Sequence, residues 1–221
     1  MAIGNDVVDL GDAAIAAAPL RERYVRRVLT DAECARLEKA ADPKALFWAH
    51  FAAKEATYKA VAQVRPAPGF AHRRFLVAED LASVRFDDLV LSSKVEVSAE
   101  RVHAVAWLGE APELAAVACI GDGADPGVAA RTALCAALSE RLGCALSELA
   151  VVRDAVPGSW DGYGPPRVER EGRPVPASVS LSHDGRFVAY AATSGRASRP
   201  SPGRCGAAGR RAPSAARTRP W

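Results

Sequence analysis

Two Asp-Pro dipeptides set the plan of this chain. Asp42-Pro43 and Asp125-Pro126 each put a capping carboxylate beside a proline at the first helical position, a pairing that opens helices. The first predicts a helix to about Ala62, ahead of the breaker Pro66-Ala67-Pro68-Gly69; the second predicts one ending near Gly143. Strand-like runs follow both: 74–78, 88–97, 101–109 and 113–121 after the first, then 148–154, 166–170, 177–182 and 186–193 after the second. Residues 2–10 read as an opening strand, and Thr30-x-x-Glu33 has capping-box spacing for a helix to about Ala41. The expected class is α+β, with two similar lobes, each a helix packed on a small, mainly antiparallel sheet. Gly121-Asp122-Gly123-Ala124 marks the boundary, giving lobes over 1–122 and 123–195.

Charge is unevenly spread. The formal net charge is +3, yet residues 196–221 hold seven arginines and no acid, and subtracting those seven leaves −4 on the rest. That tail is nearly all Arg, Ala, Pro, Gly and Ser, too poor in apolar surface to repay the entropy of ordering, and it reads as disordered. A basic arm for nucleic acid or an acidic partner is the other reading. An acidic body without a basic stripe argues against a nucleic-acid function. No apolar run is long enough for a membrane span, and the N-terminus has neither the basic nor the apolar region of a secretory signal. Five cysteines, widely spaced and without a CxxC pair, favour neither zinc nor a disulfide framework, so a reducing cytoplasm is expected.

Chemistry concentrates in three places. In the first long helix Phe47, Phe51, Glu55 and Lys59 follow one another at i, i+4 and share a stripe. An exposed Glu55–Lys59 ion pair, worth about 0.3–0.5 kcal/mol, explains such a stripe without function. Against that, the chain has only five lysines beside 24 arginines, and Lys54 and Lys59 both fall here, where a compact ammonium suits what a guanidinium does not. Asp6, in Gly4-Asn5-Asp6, precedes Val7-Val8; it is either a turn or edge aspartate or a buried carboxylate needing a partner. Asp6 and Glu55 together offer hard oxygens for magnesium, with water and phosphate filling the remaining positions. Ser178–Ser182 alternates as a strand before a His183-Asp184-Gly185 turn, leaving Ser182 and His183 at a strand end suited to an anion. Adjacent strand residues point to opposite faces, which disfavours a serine–histidine hydrolase, and no GxSxG, Walker A or GxGxxG pattern occurs.

Taken together the three places resemble the 4'-phosphopantetheinyl transferase superfamily. The resemblance rests on G-x-D at Gly4-Asn5-Asp6, on W/F-x-x-K-E-A-x-x-K at Phe51 to Lys59, and on S-x-S-H at Ser180-Leu181-Ser182-His183. Arg26 to Glu33 resembles the family's basic-hydrophobic run before a T-x-x-E helix, and Arg131-Thr132-Ala133-Leu134 resembles an arginine-led helix. The order is reversed from the two-lobed members, in which the S-x-S-H half comes first. The resemblance therefore implies two lobes related by a pseudo-twofold, with halves circularly permuted; the runner-up is a small-type subunit with a long insertion at 65–125. Val8 stands where the two-lobed type has a second acid, implying two protein ligands for Mg2+, Asp6 and Glu55. The G-K-P segment has two candidates, Gly164-Pro165-Pro166 and Gly172-Arg173-Pro174, and the second makes Arg173 a phosphate contact.

The resemblance implies transfer of the phosphopantetheine arm of coenzyme A to a serine of an apo acyl or peptidyl carrier protein, releasing adenosine 3',5'-bisphosphate, in fatty-acid or polyketide biosynthesis. Glu55 and Lys59 are the expected catalytic pair. Lys54, Lys59, Arg131, Arg173, Ser182 and His183 are expected to hold coenzyme A. The carrier is expected at a patch around Arg21, Arg23, Arg26 and Arg27, with a monomer built as a pseudo-dimer and neither nucleic acid nor membrane as partner. A non-catalytic coenzyme A- or carrier-binding relative is the alternative.

Overall fold

A computed structural model of the chain describes residues 1–17, 19–65, 71–157 and 162–193. The arginine tail and its Cys205 lie outside them. Strand β1 (Ala2–Asp9) leads into helices α1 (Ala13–Ala16), α2 (Glu22–Val28), α3 (Asp31–Leu37) and α4 (Pro43–Val61). Strands β2 (Phe75–Val77), β3 (Ser83–Phe86), β4 (Leu89–Val97), β5 (Arg101–Leu108) and β6 (Leu114–Cys119) follow. The second half holds α5 (Pro126–Leu142), β7 (Leu149–Val152), β8 (Arg167–Arg170), β9 (Arg173–Pro174), β10 (Val179–Asp184) and β11 (Phe187–Ala192). No helix among the described residues is long and apolar enough to cross a membrane.

Both Asp-Pro expectations hold. Asp42 accepts from the Ala45 N–H and Asp125 from the Val128 N–H, each with proline in the first turn. Gly143 ends α5 at φ 62°, the left-handed conformation that glycine adopts without penalty. The Thr30–Glu33 capping box is present, but its helix stops at Leu37, four residues short of Ala41.

The strands form three antiparallel sheets, ordered β1-β5-β4-β3-β2, β10-β11-β6 and β7-β8-β9. Helix α4 packs on β1, β5 and β4, and α5 packs on β10, β11 and β7. The fold is thus a mixture of helices and antiparallel sheets, with a main core of α4 alanines against Val84, Phe86, Leu91, Val102 and Ala104. One boundary shifts. The expected break at 122 puts β6 with the first half, whereas β6 pairs with β11 from Leu114↔Ala192 to Cys119↔Phe187. An alternating pattern reports a half-buried strand but not which neighbour it pairs with. β3 and the two-residue β9 were not among the expected strands; β9 is too short for any alternation to register.

Gly4 sets how close α4 comes to β1. A β-carbon there would sit 1.8 Å from the Ala56 carbonyl oxygen, a backbone atom that no rotamer change can move aside. Ala49, Ala52, Ala53, Ala56 and Ala60 of α4 are all buried, so the helix meets the sheet through small residues along its length. Gly4→Ala is expected to cost at least the ~1–3 kcal/mol typical of overpacking. Urea denaturation measures this, and a variant with wild-type stability would contradict the packing described.

Where the two large sheets meet, β1 and β10 are both edge strands and no ladder joins them. Side chains occupy the seam instead. The Ser180 hydroxyl accepts from the Asn5 N–H at 2.9 Å, and the Asp184 carboxylate accepts from the Asp9 N–H at 2.8 Å. The Gln63 amide donates to the Ile3 and Val179 carbonyls at 2.7 and 2.9 Å, bridging both halves. Arg186 closes the far end, donating to both oxygens of the buried Asp9 carboxylate at 2.9 and 2.7 Å.

That closure is acid-sensitive. Hydrogen bonds from Arg186 hold the Asp9 carboxyl at about 2, below its ordinary 3.8. The stabilisation is complete above the unfolded value and is lost as pH falls toward 2. Arg186→Gln removes the guanidinium and reduces the depression, leaving only the backbone N–H bonds to Asp9, so its acid unfolding, followed by circular dichroism, is expected to begin at higher pH than that of the wild type.

Candidate functional site

Side chains alternate along β1, and Gly4 and Asp6 share the face turned toward α4. The close approach that Gly4 permits at Ala56 and Ala60 therefore brings the same stretch of α4 over Asp6. Lys59 lies there: its ammonium donates to the Asp6 carboxylate at 2.8 Å and to the Asn5 carbonyl at 3.0 Å. Glu55, one helical turn earlier, is close enough that its negative charge is felt at Asp6, as is that of Asp184 from the end of β10. Burial is the largest influence on Asp6 and raises its carboxyl; Lys59 opposes this, Glu55 and Asp184 add to it, and the result is about 6. An anion so placed is under-compensated by one lysine and gains from further positive charge.

The arrangement corrects the stripe read from the helix. Glu55 and Lys59 do not pair with each other. Lys59 takes Asp6, 53 residues away, and Glu55 meets His72 at 3.2 Å between Oε1 and Nε2. The second lysine has another role altogether. Lys54 is fully buried, donating to the Glu33 carboxylate at 2.6 Å and the Val28 carbonyl at 2.9 Å. Its ammonium is consumed inside the fold, and a direct contact with coenzyme A phosphates does not fit that position. Burial pushes the Glu33 carboxyl up, but Lys54 and the N–H groups of Thr30 and Val77 outweigh it and hold it below the usual range. The same burial pulls the Lys54 ammonium down, against the pull of Glu33.

The S-x-S-H strand has the expected alternation: Ser180 and Ser182 are buried, and His183 is exposed. Ser182 Oγ is buried without a hydrogen-bond partner among the described residues. Asp184, which follows His183, brings this strand end within electrostatic reach of Asp6. Arg131 and Arg173 are not brought to the same place. Arg131 is exposed on α5, beside a hollow with Cys135, Leu146 and Leu149. Arg173 lies by the β8–β9 turn, beside a different hollow with Arg170 and Pro174. The rival Gly164-Pro165-Pro166 lies in the segment before β8, where Gly164 bonds the backbone of Asp154 and the Arg153 side chain. Arg21, Arg23, Arg26 and Arg27 are exposed on and before α2, with Arg26 paired to Glu22 at 2.9 Å.

Three participants escaped the sequence. His72 lies three residues beyond the Pro/Gly breaker, in no motif. Glu33 reads as a helix cap, which it is, while its second carboxylate function toward Lys54 is invisible in a capping pattern. Asp184 reads as a turn residue. The available signal was scarcity: the chain has four histidines and five lysines, so each is worth placing individually.

Among the described residues no group of three or more His, Cys, Asp or Glu is placed to hold a metal ion. Asp6 and Glu55 nevertheless suit a hard cation of the kind that takes one or two carboxylates and completes its shell with water and phosphate. What favours such a cation is the donor set itself, two carboxylates from facing elements at the partly open seam of β1 and α4.

Comparison with known proteins bears on the same strand and helix. The model of the 4'-phosphopantetheinyl transferase superfamily matches residues 2–114, from the start of β1 to the start of β6. This is just over half of the 221 residues, and the chain belongs to that superfamily. Among solved structures, the crystal structure of Thermotoga maritima holo-[acyl-carrier-protein] synthase is similar at 16 % identity and a TM-score of 0.35, covering 78 % of this chain and 84 % of that one. No curated protein matches.

Proposed function

We propose that the protein moves the 4'-phosphopantetheine group of coenzyme A to a serine hydroxyl of an apo carrier protein, releasing adenosine 3',5'-bisphosphate. The observation that supports this most is the meeting of Asp6, Glu55 and Lys59 across the Gly4 crossing of β1 and α4, beside the end of the S-x-S-H strand. Asp6 and Glu55 would hold Mg2+, which when bound neutralises charge on the pyrophosphate. Phosphoryl transfer needs little else from a protein than positioning and charge stabilisation. Glu55, partly exposed, takes the proton of the attacking serine directly or through water. Lys59, already at Asp6 and 31 % exposed, offers its remaining donor to the pyrophosphate. His183, exposed at the end of the S-x-S-H strand, is assigned to the adenosine-side phosphates from the other half, while the buried Ser182 faces the opposite side.

The two helix-on-sheet units are read as the two lobes of a monomeric pseudo-dimer with their order exchanged. An acidic carrier is assigned to the arginines of α2, and the setting is the cytoplasm. A non-catalytic relative is the second reading, supported by Val8 where a second acid is usual.

The deciding experiment incubates apo carrier protein, coenzyme A and Mg2+ with the protein and weighs the carrier by mass spectrometry. Addition of the phosphopantetheine mass supports transfer; unchanged fatty-acid, polyketide and peptide carriers would leave the binding-protein reading. Removing 196–221 is expected to leave transfer rates within about twofold of the full chain, since none of the residues assigned to the site lies there. Abolished transfer would instead assign the tail a direct role.

A further inference from the structure

We propose that His72 is a positioning residue for Glu55, fixing one carboxylate oxygen and leaving the other for the cation and the carrier serine. The inference rests on the transferase reading above. Phe51 and Glu55 are one turn apart on the same side of α4, so a ring laid over the first is carried alongside the second. His72 occupies that position. Its ring centroid is 5.1 Å from that of Phe51 at an interplanar angle of 30°, and its Nε2 is 3.2 Å from Glu55 Oε1. Phe51 is itself held edge-on by Trp48, with centroids 5.3 Å apart. The Glu55 Oε2 accepts no hydrogen bond among the described residues.

The short turn carrying His72 is pinned on both sides. Arg73 donates to the Arg26 carbonyl at 3.1 Å and to Asp31 at 3.0 Å. Arg74 donates to Asp87 at 2.8 Å, and Phe75 is buried against Phe86 with centroids 4.5 Å apart. His72 is thus a fixed point against which a long, rotamer-rich glutamate is held. Groups that orient a ligating carboxylate in this way are worth about 10–100-fold in metal affinity or activity.

The test compares His72→Phe, which keeps the stack and removes the donor, with His72→Gln, which keeps a donor. Mn2+ is titrated into each protein and followed by electron paramagnetic resonance, alongside kcat, the carrier KM and thermal unfolding. His72→Phe is expected to bind Mn2+ about tenfold more weakly, with lower kcat, unchanged carrier KM and near-wild-type unfolding. His72→Gln is expected to regain most of the Mn2+ affinity. A purely structural histidine would move the unfolding temperature and leave Mn2+ affinity alone, and that result overturns the proposal. If His72→Phe does not fold, His72→Gln is compared with His72→Ala, and equal Mn2+ affinities in the two overturn it as well. Wild-type protein that neither binds Mn2+ nor modifies a carrier removes the transferase reading and this inference with it. Active wild type matched by His72→Phe in Mn2+ affinity and kcat removes the positioning role alone.

Discussion

Glu55→Gln is expected to lower the rate of carrier modification by on the order of 10²–10⁴-fold, the range supplied by a positioned proton acceptor. The side chain keeps its shape, and its amide oxygen can still meet His72. What is lost is the negative charge beside Asp6 and the basic oxygen. The fold should not suffer, because Glu55 is 22 % exposed and its side chain makes one hydrogen bond among the described residues, to His72, 17 positions away. Removing a negative charge that pushes the Asp6 carboxyl upward relieves the buried acid. Thermal unfolding should therefore be unchanged or slightly raised while single-turnover transfer collapses. A folded Glu55→Gln variant with full activity would remove Glu55 from the mechanism.

The largest effect on stability is expected at Lys54. Lys54→Met retains length and apolar stem but leaves Glu33 as a buried carboxylate facing no cation, a change that typically costs about 3–5 kcal/mol. Glu33 has two other tasks: it accepts from the Thr30 N–H, which closes the capping box of α3, and from the Val77 N–H, so its carboxylate cannot simply turn away. The Val28 carbonyl also loses its donor. The double variant Lys54→Met/Glu33→Gln removes both charges and keeps one acceptor oxygen, which serves either the Thr30 or the Val77 N–H, since these two bond different oxygens of Glu33. It is expected to recover much of the loss, because a buried ion pair replaced by neutral groups is often close to neutral in stability. Urea unfolding of the four proteins in a double-mutant cycle gives the coupling. Lys54→Met at wild-type stability would show that the ion pair is dispensable, and would reopen the lysine for contact with phosphate.

These expectations separate two lysines that look alike in a helix of alternating small and charged residues. Lys54 and Lys59 are five positions apart, so they point in different directions around α4. Only the surroundings say that one meets Glu33 in the interior and the other meets Asp6 at a partly open seam. The same holds for the arginines. Arg131 is in the helix expected of it, on a face turned to solvent rather than toward Asp6, and a motif match does not specify a face.

The order of the residues suffices for what short-range physics controls. Asp-Pro starts, the Gly143 stop, the capping box and the alternation of β10 involve groups within four or five residues of one another, and they are in place. It also determined that Gly4 and Asp6 face the same way, since two residues along a strand can do nothing else. Who meets whom was settled by the packed fold: Lys59 with Asp6, Glu55 with His72, Lys54 with Glu33, and β6 with β11. Those pairings depend on how closely a helix lies on a sheet and on which edges two sheets turn to each other. Such distances come from packing over the whole chain and leave no local pattern to read.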